Sequence, residues 1–258
     1  MRIGCSTAGM VSGKLNPEMF ILKTREGIEY FSQLSFDICE IYLRFPKKEY
    51  WISISNLSKK FGIPIYSAHF SKNIFHSTAG SSFRKHLLIA DYLQCSVVVV
   101  HPPDLSNRVL YNMTKKLFQE NLSFAEEHNI KMTVENVPYI PNCLDHLSDL
   151  VTQINSEFFG VTMDTEFVYS TGETVERYFD ILDDYILHIH LRDYDGSPFD
   201  RNGRRRYLLP GRGNLDFSSI LMTIKKHYHS DLIIEAPIND LKKLDTSQQF
   251  LRNLLKSP

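Results

Sequence analysis

Eight short runs of apolar and β-branched residues recur at nearly even intervals along this chain, and that rhythm leaves few folds open. The runs are RIGCS (2–6), FDICEIY (36–42), IPIYSAHF (63–70), CSVVVVHP (95–102), KMTVENV (131–137), FGVTMDT (159–165), ILHIHLRD (186–193) and LIIEAP (232–237). Each reads as a strand. The segments between them carry helical spacing. In 16–35, Asn16 can cap a helix and Pro17 can take its first turn. The segment 109–128 shows an apolar stripe at Leu110, Met113, Leu117, Phe118 and Phe124. Further helices are expected near 48–60, 80–93, 143–156, 173–183, 216–227 and 241–256. Strands alternating with helices imply a parallel sheet. The count of eight, and the residue types at the strand ends, favour a closed (β/α)8 TIM barrel over an open doubly wound sheet.

The chain has 258 residues, 43% of them hydrophobic, enough to build the core of one such barrel, which takes roughly 250 residues. No linker or composition shift marks a second domain, so residues 1–258 read as a single barrel domain. The formal net charge is −1, which argues against a nucleic-acid or membrane partner attracted by a global basic field. Cys5, Cys39, Cys95 and Cys143 form no CxxC pair and read as buried, reduced thiols. The start, MRIGCST, reads as a strand and not as a signal peptide. No apolar run approaches the length of about 20 residues that a membrane span needs. These features give the expectation of a soluble cytoplasmic protein, with its oligomeric state left open.

In a barrel, functional groups gather at the C-terminal ends of the strands. Polar residues fall there in six consecutive strands: His69, His101, Glu135, Asp164, His190 and Glu235, with His188 two residues before His190. Ionised carboxylates among apolar neighbours need compensation. Arg192 is the one basic residue at a matching position, so a divalent metal is the natural compensator. Carboxylates with one imidazole suit Mn²⁺, Zn²⁺, Mg²⁺ or Fe²⁺ without choosing strongly among them. His76, His86, His128, His146, His227 and His229 lie in helices or loops and read as surface histidines.

The pieces SAHF, VVVHPP, TVENVP, TMDT, HIHLRD followed by LPGRGNLDF, and IIEAP resemble, in order and spacing, the xylose isomerase-like barrel superfamily. That group contains sugar and sugar-phosphate isomerases and epimerases, and nucleases of the endonuclease IV type. The isomerase and epimerase branch implies one metal held by Glu135, Asp164, His190 and Glu235. Glu135 and Glu235 would then exchange a proton with carbon beside a carbonyl while the metal stabilises the enediolate oxygen. His69, His101 and His188 are left for a second metal or for substrate. A substrate-binding histidine common in that branch is replaced by Phe167. The nuclease branch implies three zinc ions. The ligands of its third site would fall at Phe167, Arg205 and Tyr207, none of which is a suitable ligand here.

The longest irregular stretch, 194–215, carries Arg201, Arg204, Arg205, Arg206 and Arg212. Barrels commonly bind phosphate near this loop. Arg204, Arg205, Arg206 and Arg212 are therefore candidates for an anionic substrate, helped by the backbone N–H groups of the 210–213 turn. The reading is a metal-dependent isomerase or epimerase of a small carbohydrate, with both sugars and sugar phosphates open as substrates. A phosphodiesterase relative, a dehydratase or lyase, and a non-catalytic barrel are the alternatives.

Overall fold

The computed structural model describes residues 1–11, 13–75, 79–238 and 240–256. Eight parallel strands close into one barrel in sequence order. They are β1 (Ile3–Ser6), β2 (Ile38–Leu43), β3 (Ile65–Phe70), β4 (Val97–Val100), β5 (Lys131–Glu135), β6 (Phe159–Asp164), β7 (Ile186–Leu191) and β8 (Leu232–Ile234). Closure is made by β1 on β8, with Ile3 opposite Leu232 and Cys5 opposite Ile234. The surrounding helices are α1 (Pro17–Gln33), α2 (Lys48–Phe61), α3 (Ala79–Tyr92), α4 (Arg108–Gln119), α5 (Leu122–Glu127), α6 (Cys143–Ile154), α7 (Thr165–Ser170), α8 (Val175–Leu182), α9 (Phe217–His227) and α10 (Leu241–Lys256). Among the described residues, no helix is long and apolar enough to cross a membrane.

Residues facing out of the barrel pack against the helices. Between α1 and α2, Phe20 meets Phe45 edge-on at 5.3 Å and Trp51 at 6.3 Å, and the Trp51 indole donates to the Phe45 carbonyl at 2.7 Å. Such edge-on pairs match the positive rim of one ring to the negative face of the next. The inward layer at mid-barrel is polar and partly paired within itself: Ser67 donates to Glu40 at 2.8 Å, and Thr133 donates to the Val98 carbonyl.

Asn16 caps α1 by accepting from Met19 N, with Pro17 in the first turn, as the sequence implies. The expected helix over 109–128 is instead two, α4 and α5. At the break, the Asn121 side chain donates to the Leu117 carbonyl at 2.8 Å, and this local bond competes with the helical ladder. Helix α7 is an addition to the expected pattern. Asp164 caps it through Phe167 N at 3.1 Å, so one carboxylate both ends β6 and starts the next helix. The four cysteines are free and buried. His86 is buried, not superficial: its Nδ1 donates to the Ser82 carbonyl at 2.8 Å and its ring packs 5.1 Å from Phe70. His76 lies outside the described residues.

Candidate active site

The six strand-end residues converge. Ligand atoms of Glu135, Asp164, His190 and Glu235 all lie within 4.8 Å of one another, and so do those of His69, His101 and Glu135. Each side chain is delivered by the end of its own strand, or by the first residue beyond it for His101 and Glu235. Glu135 sits deepest. Its carboxylate takes His190 Nδ1 at 2.7 Å and contacts His101 Nε2. Glu235 is the most open of the four, with its side chain 12% exposed.

The His69 ring reveals what this cluster is short of. Its Nδ1 faces the Phe70 carbonyl at 3.1 Å, which can only accept, so Nδ1 carries hydrogen. Its Nε2 is buried without a hydrogen-bond partner, 3.5 Å from Glu135 Oε2 and 3.9 Å from Glu235 Oε1. A neutral His69 would aim a lone pair at two carboxylates, so this edge calls for a cation. Protonation is one answer. Although burial opposes the charge, Glu135 and Glu235 raise the His69 pKa, and Glu40, Glu235 and Glu135 raise that of His190 strongly against its own burial. Asp164 gives the complementary sign: burial pushes its pKa up to about 7, against the pull of Arg192. A metal ion would relieve all three strains at once. The donor set of three carboxylates and an imidazole fits a divalent ion.

Two further groups organise this layer from positions that the strand-end criterion did not select. Glu40, in mid-β2, accepts from Ser67, from His188 Nε2 at 3.1 Å and from His190 Nε2 at 3.2 Å. Its signal was an acid set between apolar Cys39 and Ile41 in the middle of the run FDICEIY. His188 therefore lies one layer below the cluster, fully buried on Glu40. It does not line the cavity that opens at Glu235, although its ligand atom lies within 4.8 Å of those of Glu40 and His190. Glu166, on α7, is buried against Arg192 and Arg205.

Arg192 enters the site directly. Its Nε lies 2.6 Å from Asp164 Oδ2, and its Nη2 is 3.5 Å from Glu235 Oε2. The guanidinium is sandwiched between the rings of Phe167 at 4.2 Å and Tyr207 at 4.8 Å, and Arg205 stands 5.4 Å from both rings. Phe167, Arg205 and Tyr207 thus come together in space, as third-metal ligands would. They enclose an internal cation instead.

The basic loop differs from its expected state. Arg205 pairs with Glu166 on α7, and Arg206 pairs with Asp195. Arg204 and Arg212 are exposed. The N–H groups of Gly211, Arg212 and Gly213 all donate to Asp193 Oδ2, at 2.9, 3.0 and 2.8 Å. The turn therefore already holds an anion, its own aspartate, and is closed to an external one. Glycine is required at 213, where a Cβ would lie 2.4 Å from Asp193 Oδ1.

Above the cluster opens a cavity of about 300 Å³. Glu235, His69, His101, Arg192, Phe167 and Tyr207 form much of its wall.

Fold and site together define a class. Residues 27–254 match the model of the xylose isomerase-like TIM barrel family, and the chain belongs to that family. The Methanocaldococcus jannaschii protein MJ1311 is 26% identical over 174 residues, which is 64% of this chain and 58% of that relative's length. A D-tagatose 3-epimerase-like protein superposes with a TM-score of 0.78 at 22% identity, covering 99% of this chain and 97% of that one. The protein IolI, solved with a zinc atom, superposes with a TM-score of 0.68 at 16% identity, covering 99% and 96%. Other structural neighbours include sugar epimerases and a dehydratase. At such identities, the likeness to solved structures speaks for the fold alone.

Proposed function

We propose that this chain is a divalent-metal-dependent isomerase or epimerase of a small carbohydrate carbonyl compound. The observation that carries this reading is that Glu235, His69 and His101 line one cavity above a buried set of ligands. Glu135, Asp164, His190 and Glu235 would hold the ion. When bound, it would supply a Lewis acid that acidifies the C–H beside a carbonyl.

The proton work belongs to the chain. Glu235 reaches the cavity and can take a proton from carbon. Glu135 is fully buried beneath His69 and His101, and exchanges protons with the cavity through His101, whose Nε2 it contacts. Glu235 as base and Glu135, acting through His101, as acid would be the two proton-transfer groups that inversion at a carbon requires. Phe167 and Tyr207 shield this zone from water and hold Arg192, whose guanidinium can donate to a substrate oxygen.

The substrate is better read as neutral than as phosphorylated, because Arg205 and Arg206 are already paired with acids and the 210–213 turn is filled by Asp193. The epimerases among the structural neighbours support a sugar as substrate. Incubating protein loaded with Mn²⁺ or Zn²⁺ with D-fructose, D-psicose, D-tagatose and D-sorbose, and separating the products, tests the reading. Interconversion of at least one pair is expected. A panel left unchanged by protein with full metal occupancy counts against it.

A further inference from the structure

A second cavity, of about 470 Å³, adjoins the first and shares His101, Phe167 and Tyr207 with it. We infer that it is a subsite for a second sugar ring, so that a glycoside of the reacting sugar is preferred over the free monosaccharide. This rests on the carbohydrate reading above and extends it.

The first argument is exposure. The large hydrophobic side chains exposed among the described residues are Met1, residues on helices α1 to α4 and α9, and two aromatic rings, Tyr139 and Phe199. Single exposed apolar residues on outer helices are ordinary. Tyr139 and Phe199 differ: each is 52% exposed, each lies on a loop at the mouth of the barrel, and both line this one cavity.

The second argument is that the rings are held in place. The Tyr139 hydroxyl donates to the Pro102 carbonyl at 2.7 Å. Phe199 lies in the β7 loop, where the chain doubles back on itself and Phe199 forms an antiparallel bridge with Arg205. The Arg205 guanidinium stands 5.8 Å over the Phe199 ring while its charge is answered by Glu166. Fixed aromatic faces lose little entropy on binding.

The third argument is chemical. A pyranose presents C–H faces that lie on aromatic rings and hydroxyls that need donors and acceptors. This cavity offers both, with Tyr139, Phe199 and Phe167 for the faces and the remaining Arg205 N–H groups for the hydroxyls. Its paired arginine gives no free positive charge to favour a phosphate. The shared wall places an occupant within one linkage of a sugar over Glu235.

Calorimetry on the Mn²⁺-loaded protein tests this, with D-tagatose as the single-ring probe and maltulose and isomaltulose as ketoses bearing a glucosyl ring. At least one disaccharide should bind about 10-fold or more tighter than D-tagatose. Tyr139→Ala combined with Phe199→Ala should remove that advantage while D-tagatose affinity stays within about threefold. Tyr139→Trp should preserve it. If D-tagatose binds but neither disaccharide binds tighter, or if the advantage survives the double variant, the subsite is wrong and the carbohydrate reading stands. If no sugar binds to fully loaded protein, the carbohydrate reading falls and takes the subsite with it.

Discussion

Glu40 and His190 are joined across the barrel, from β2 to β7, by a hydrogen bond of 3.2 Å between Oε2 and Nε2, with both side chains fully buried. The other ring nitrogen, Nδ1, points at Glu135 and Glu235. The Glu40 carboxylate therefore holds the proton on Nε2 and turns Nδ1 toward the carboxylates proposed to hold the ion. Such a carboxylate behind a ligating histidine typically accounts for about 10–100-fold in metal affinity. Glu40→Gln should weaken Mn²⁺ or Zn²⁺ binding by a factor in that range, measured by competition with a chelator, while circular dichroism stays unchanged. Unaltered affinity would leave Glu40 with a packing role only.

Glu135→Gln and Asp164→Asn should each strip the stoichiometric metal from purified protein, read by elemental analysis. Both carboxylates lie inside the four-ligand cluster, and the amide that replaces either one is a far weaker ligand for a hard cation. Full metal content in both variants would show that the ligands lie elsewhere.

Metal affinity should rise with pH. Asp164, pushed up to about 7 by burial, and His190, raised well above its ordinary value by Glu40, Glu235 and Glu135 despite its burial, must both give up protons when the ion binds. Each proton released makes binding about 10-fold tighter per pH unit while the group is still mainly protonated. Affinity at pH 8 should therefore exceed that at pH 6 by at least about 10-fold. A flat profile would mean that no proton is displaced.

Arg192 contacts Asp164 and Glu235 and would compete with the proposed ion for both. Arg192→Met keeps the bulk and removes the charge. Without metal, this variant should be destabilised by up to about 3–5 kcal/mol, the cost of breaking a buried pair, reduced where Asp164 takes up a proton. With metal, it should bind the ion more tightly than the parent protein. Thermal melts with and without Mn²⁺ check both halves, and weaker metal binding in the variant contradicts the competition.

Abasic-site duplex should not be incised at physiological salt, because Phe167 and Tyr207 flank the Arg192 guanidinium, with Arg205 over the same rings, where the nuclease resemblance calls for a third metal. Efficient incision that disappears in Glu235→Gln would overturn this reading.

Most of the barrel was legible because strand periodicity is a local property: every strand and most helices lie where the runs place them. The breaks came where a side chain bonds back to the main chain, as at Asn121, or where one residue serves two elements, as Asp164 does. The cluster was legible because β-strand ends map directly onto the barrel mouth. Its partners were not. Glu40 stands in mid-strand, and its role depends on His190, 150 residues away. The pairing of Arg205 with Glu166 joins the β7 loop to a helix that spacing alone did not reveal. The aspartate in the 210–213 turn comes from Asp193, which reads in sequence as one more loop acid.

Hydrogen exchange at carbon tests the central claim most directly. Mn²⁺-loaded protein is incubated in D₂O with the four ketohexoses, singly and as the glucosyl derivatives, and the recovered sugars are examined by mass spectrometry and NMR. The account predicts deuterium at the carbon beside the carbonyl of at least one of them, lost by at least about 100-fold in Glu235→Gln although that variant stays folded. No deuterium in any sugar at full metal occupancy, or undiminished exchange in Glu235→Gln, would contradict it.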